Sequence, residues 1–126
     1  MKQAVIESGR AEYALNAVKD VIRDEKNKTS KTKEYKSYVK KFPSLVLSNG
    51  LAASVAFIKE KGGAYDLVYG HITGWLKKNG FFADKTLEDY VCSLKSDEYR
   101  VVTNEVLALF EWLRRFASGL IEGEAE

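Results

Sequence analysis

At 126 residues the chain has the length of one domain built around one core, since domains run to roughly 100–200 residues. Hydrophobic residues at 45% and charged residues at 30% exclude wholesale disorder, and no run approaches the roughly 20 apolar residues of a membrane span. The net charge of +2 hides an asymmetry: residues 1–40 hold ten Lys/Arg against six Asp/Glu, and residues 41–126 hold ten against twelve, so one side can face an anionic partner.

The N-terminus, Met1-Lys2-Gln3-Ala4-Val5-Ile6-Glu7, lacks the apolar region of a signal peptide, and the single cysteine, Cys92, cannot form an internal disulfide. Both point to a reducing, cytoplasmic location. With one proline, no alternating strand pattern and apolar residues at helical spacing almost throughout, the expected fold class is all-α, a single compact bundle of about six helices spanning residues 1–126.

The first helix is expected over about 2–26, with Ala4, Ala11, Leu15, Val18 and Ile22 on its core stripe. The polar stretch 27–32 reads as a mobile loop. A short second helix, about 33–41, places Tyr35, Tyr38, Val39 and Phe42 on one side and Lys33, Lys36 and Lys40 roughly opposite. Pro43 suits the first turn of a third helix, about 43–61, and Gly62-Gly63 suits its end. The fourth, about 64–79, carries Leu67, Val68, Ile72, Trp75 and Leu76 and stops at Asn79-Gly80. Thr86-Leu87-Glu88-Asp89 has the form of a capping box opening a short helix to about Leu94, with Leu87, Tyr90, Val91 and Leu94 inward. Ser96 then reads as the N-cap of the last helix, whose Val102, Val106, Leu109, Leu113, Phe116 and Leu120 form the clearest amphipathic stripe in the chain. The tail 121–126 should fray.

The chemistry of an active site is thin. One histidine, His71, and one cysteine, Cys92, cannot supply the usual zinc sets, and the context of each favours packing, Cys92 as a small buried hydrophobe. Asp84, Glu88 and Asp89, or Asp97 and Glu98, have the oxygen chemistry of a Mg²⁺ site, but helix-start acids explain both groups. No phosphate-binding glycine loop occurs. We therefore expect no catalytic residue, no metal and no cofactor.

Basic residues are the stronger signal. Lys19, Arg23 and Lys26 line one edge of the first helix, and the stretch from Lys26 to Lys41 holds seven lysines and one acid, Glu34. Such a face suits contact with nucleic-acid phosphates, and a solvated face that keeps the protein soluble explains it equally well. Tyr35 and Tyr38 share a side with Val39 and Phe42, which favours core packing over base stacking. Trp112 falls about 100° from the centre of the last helix's stripe, near Val101 and Ala108, where either another chain or a second internal helix accounts for it.

At Phe42-Pro43-Ser44-Leu45, running on to Asn49-Gly50-Leu51 and Ala56-Phe57-Ile58, the chain closely resembles the small subunit of the type III-B CRISPR effector, the Cmr complex. Trp75-Leu76 and the ending Leu109-Phe110-Glu111-Trp112-Leu113-Arg114-Arg115-Phe116-Ala117-Ser118-Gly119-Leu120 agree with it, so the resemblance spans about residues 4–121. It implies a helical subunit without nuclease activity, stacked with copies of itself beside the larger subunits that carry the guide RNA and lining the groove that receives target RNA. The family offers no RNA-contact motif to transfer, so charge placement selects the candidates: Lys40, Lys41, Arg114 and Arg115 first, then Lys19, Arg23, Lys26 and Lys36, with Trp112, Val101 and Ala108 facing other protein. A helical adaptor that binds only protein is the alternative.

Overall fold

The computed structural model describes residues 2–24 and 28–122, and the side chains of residues 9–24 and 30–122. The described residues form six helices and no strand: α1 (Lys2–Arg23), α2 (Lys28–Asn49), α3 (Leu51–Lys61), α4 (Tyr65–Lys78), α5 (Leu87–Cys92) and α6 (Ser96–Leu120). The all-α expectation holds, and the boundary between the second and third helices moves.

Pro43 does not open a helix. It sits inside α2, which runs through the proline because Tyr35, Val39, Phe42 and Val46 recur at helical spacing and are all buried. A proline inside a helix costs about 3 kcal/mol, and burying four large side chains at about 1.5–3 kcal/mol each outweighs that. Residues 30–32, read from sequence as loop, belong to the first turns of the same helix. The break comes at Gly50, whose φ of 90° is a conformation in which a side chain would be strained. There the hydroxyl of Tyr99 on α6 accepts from the Ala52 backbone N–H at 2.8 Å, satisfying a donor that the start of α3 leaves orphaned.

Other ends follow the sequence more closely. Gly62, Gly63 and Gly80 take positive φ where helices stop, and Thr86 Oγ1 accepts from the Asp89 N–H at 3.1 Å as a cap. Lys95, not Ser96, is the N-cap of α6, and the Glu98 carboxylate accepts from its backbone N–H. Cys92 is exposed, because on a helix of six residues only Leu87 and Val91 face inward. On α1, Val18 is buried as expected, together with Ala14, Ala17 and Val21, while Leu15 and Ala11 are half-buried, Ile22 is exposed and the side chain of Ala4 lies outside the described residues. On α6, Val102, Val106, Leu109 and Leu113 are buried as expected, and Leu120 is exposed at its end.

α6 is the spine. The pairings Lys36 with Ile121 and Phe42 with Phe110 show α2 running antiparallel along it, and the start of α3 touches it through Ala52 and Tyr99. Arg10 pairs with Glu105, and Ile22 shares a depression with Leu120, so α1 runs parallel to it. α4 packs on α3, α2 and α1, with the Tyr13 hydroxyl donating to the His71 carbonyl, and reaches α6 through the Trp75 indole N–H, which donates to Glu105 at 2.7 Å. Glu105 is thus a carboxylate 8% exposed, on the apolar stripe of α6, held by Arg10 at 2.8 and 2.9 Å and by Trp75.

Removing one partner of a buried pair leaves the other charge unpaired. Glu105→Ala is expected to lower unfolding stability by about 3–5 kcal/mol in urea titrations, and Arg10→Met added to it should recover part of the loss. A loss under about 1 kcal/mol would show the pair to be incidental.

Candidate nucleic-acid interface

The structure divides the basic residues singled out in the sequence among several places. Lys19 and Arg23, both exposed, line a depression of about 400 Å³ with Ile22 and Leu120, where the C-terminal ends of α1 and α6 lie together. Arg23 also approaches Asp20 at 4.0 Å. Lys36 reaches the same end from α2: it is half-buried and its ammonium donates to the Ile121 carbonyl at 2.8 Å, where a cation complements the negative end of a helix dipole. Lys36 is therefore engaged within the fold. Lys26 lies outside the described residues.

Lys40 and Lys41 are exposed on α2. Lys41 lies on the rim of a separate groove of about 370 Å³ that is also lined by Leu45, Ser48, Asn49, Phe57 and Tyr65. Arg114 and Arg115 on α6 both approach Glu111 Oε1, at 3.3 and 3.8 Å, so one carboxylate partly offsets two guanidinium groups. Trp112 is 38% exposed and rests on Phe116, with ring centroids 6.0 Å apart. Val101, one helical face along, is 60% exposed, and Ala108 is half-buried. Among the described residues, no helix covers the outer part of this flank.

The aromatic residues on α2 pack. Tyr35 is fully buried, with its hydroxyl 2.8 Å from His71 Nδ1. A hydroxyl donating there leaves the ring proton on Nε2. Burial lowers the His71 pKa to about 4, against a smaller opposing pull from Asp20, so the ring is neutral near pH 7. Burial and then the neighbouring Tyr13 push the Tyr35 phenol up. Tyr38 stacks face to face on Tyr65 at 3.7 Å. Among the described residues, no group of three or more His, Cys, Asp or Glu side chains is placed to hold a metal ion, and no helix is long and apolar enough to cross a membrane.

Sequence reasoning missed a second set of cations. Lys59, Lys61, Lys77 and Lys78 end α3 and α4 and lie over the rings of Tyr69, Phe57, Phe82 and Tyr13 at 4.7, 5.4, 5.5 and 5.9 Å. Their signal was present as basic residues in last turns, with Phe57 one helical turn before Lys61 and Phe82 five positions after Lys77, whereas Tyr13 reaches Lys78 from α1. Arg10 was also missed. Its clue was Glu105, the acid three residues after Val102 on an otherwise apolar stripe.

Known proteins share this architecture. Residues 6–120 match the model of a family described as CRISPR-associated protein (Cas_Cmr5). A Thermus thermophilus protein named CRISPR system Cmr subunit Cmr5 is 32% identical over 89 residues, which cover 71% of this chain and 76% of that protein. The X-ray crystal structure of a CRISPR-associated Cmr5 family protein from Thermus thermophilus superposes with a TM-score of 0.78 at 27% identity, covering 93% of this chain and 98% of that one.

Two outcomes follow from the site geometry. Lys36→Met should lower stability by about 0.5–1 kcal/mol, whereas Lys40→Met, at an exposed position, should leave it within about 0.5 kcal/mol; equal melting temperatures for the two variants would show that the Ile121 cap contributes nothing. For His71, the folded pKa of about 4 lies below the ordinary 6.5, so the unfolded chain binds the extra proton between those values. Its contribution to stability is present above pH 6.5 and is lost as pH falls toward 4. The slope of unfolding free energy with pH in that window should flatten in His71→Gln.

Proposed function

The chain belongs to the CRISPR-associated Cmr5 family, and from that premise we propose that it is the small, non-catalytic subunit of a type III-B Cmr effector, acting in the cytoplasm in antiviral defence. As a single domain it stacks with copies of itself and with the larger Cmr subunits, and it contacts guide or target RNA through backbone phosphates. The observation that carries this reading is the family match over residues 6–120, supported by a Thermus thermophilus relative that is named as a Cmr subunit.

Phosphate contact is supported by the exposed Lys40, Lys41 and Lys19. Such contacts need no bidentate geometry and release counterions as they form. Lys36 is the weakest of the predicted contacts, because its ammonium already holds the Ile121 carbonyl. Contact with other protein chains is supported by Trp112 and Val101, large apolar side chains on one uncovered flank of α6. The same flank supports the second reading, an adaptor that binds protein alone, since Arg114 and Arg115 already have Glu111 beside them.

Affinity purification of the tagged protein from its host, with sequencing of the bound RNA, separates the two. Repeat-derived guide RNAs and larger Cmr subunits should come down together; protein partners with no enriched RNA would favour the adaptor. In the assembled complex, Lys40→Gln with Lys41→Gln should weaken single-stranded RNA binding uniformly across sequences. The slope of log affinity against log salt should become shallower by about 0.7 for each phosphate that is no longer neutralised.

A further inference from the structure

Two open apolar depressions on the surface have similar volumes and opposite rims. One, of about 350 Å³, lies among Phe81, Tyr90, Leu94 and Val101 and is edged by Asp97 and Glu98, whose charge repels phosphate. The other, of about 370 Å³, lies between α2, α3 and the start of α4; its lining includes no carboxylate, and Lys41 stands on its rim. Lys61, one turn beyond Phe57 on α3 and exposed, holds its ammonium 5.4 Å from the centre of the Phe57 ring, one wall of this groove.

The walls of the second groove are aromatic and fixed. Tyr65 is clamped between Tyr38, stacked at 3.7 Å with an interplanar angle of 1°, and Phe57, edge-on at 5.5 Å. Leu45 forms the apolar side opposite. Ser48 and Asn49, both exposed, supply a hydroxyl and an amide, groups that donate and accept hydrogen bonds. Apolar and aromatic walls, a few amide and hydroxyl groups, a cation on the rim and a second beside one wall make up the chemistry that holds an unstacked base beside its own phosphates.

Resting on the RNA-contact reading above, we propose that the groove between Lys41, Leu45, Phe57 and Tyr65 receives one unstacked base of single-stranded RNA, with the adjoining phosphates on Lys41 and Lys61. The protein would then hold the strand by a base as well as by charge, with little regard to sequence, because every base has an apolar face.

The test compares binding of the full chain, at low salt, to a short oligouridine and to an abasic strand of equal length. Oligouridine should bind at least about fivefold more tightly, the lower end of what base stacking contributes. Ser48→Phe, a substitution at an exposed position that fills the groove, should reduce oligouridine to the abasic level, with an unchanged helical spectrum showing that the fold is intact. Lys41→Gln should weaken both strands. Equal affinity of the unaltered protein for the two strands would overturn the pocket and leave phosphate contact standing. A preference that survives Ser48→Phe would overturn it by placing the base elsewhere. Binding to neither strand would sink the pocket together with the RNA-contact reading. If Ser48→Phe instead releases a co-purifying Cmr subunit while the RNA preference stays, the groove belongs to protein.

Discussion

A carboxylate on the apolar stripe of a helix must find partners or leave the core, and Glu105 finds two. The fork of Arg10 closes on it from α1 at 2.8 and 2.9 Å, and the Trp75 indole reaches it from α4 at 2.7 Å. Each partner has only a narrow range of positions, so one side chain sets the register of three helices. The neighbourhood is shaped to allow it: a side chain at Gly9 would meet the Trp75 ring at 3.3 Å, and one at Gly74 would meet the Tyr13 hydroxyl at 2.6 Å. Tyr13 itself packs on Trp75, with centroids 5.1 Å apart, and donates to the His71 carbonyl. The polar interior of the bundle therefore runs from Arg10 to Tyr35, and elsewhere in the core the buried Ser54 hydroxyl donates to the Gly50 carbonyl at 2.7 Å.

Periodicity made the helical class and α6 legible, because a stripe sustained over many turns is hard to mistake. Glycine and Thr86 marked their stops and cap correctly, since φ above zero and side-chain capping are local properties. Pro43 misled because its penalty is local while the stripe Tyr35, Val39, Phe42 and Val46 is buried by tertiary contact, and tertiary burial won. The core face of α1 is legible in sequence at Val18 but not at Ala14 and Ala17, because small residues carry little periodic signal. The candidate interface was legible only as composition. Charge counts found Lys40 and Lys41, but they could not show that Lys36 closes on Ile121 or that Arg114 and Arg115 share Glu111. The aromatic walls beside Lys41 come from three helices, an adjacency no single stretch of sequence displays.

Charge on this surface is also less than its count. α1 and α6 run parallel, so their C-terminal ends share one end of the bundle, each with the partial negative charge of its unsatisfied carbonyls. Lys19, Arg23 and Lys36 lie at that end and partly neutralise it. The field available to an outside anion there is weaker than three cations suggest. The groove at Lys41 lies near the C-terminal end of α2, but the carbonyls there are bonded onward, as Val46 is to the Gly50 N–H at 2.8 Å.

The union of Arg10 with Glu105 spans 95 positions, and that distance orders events during synthesis. The ribosome releases α1 before α6, at about 5–20 residues per second. Until α6 emerges, the Arg10 guanidinium and the Trp75 indole lack their shared acceptor, and α1 and α2 lack the helix they run along. The nascent chain thus holds local helices with exposed apolar faces until then, and the core closes only when α6 meets α1 and α2.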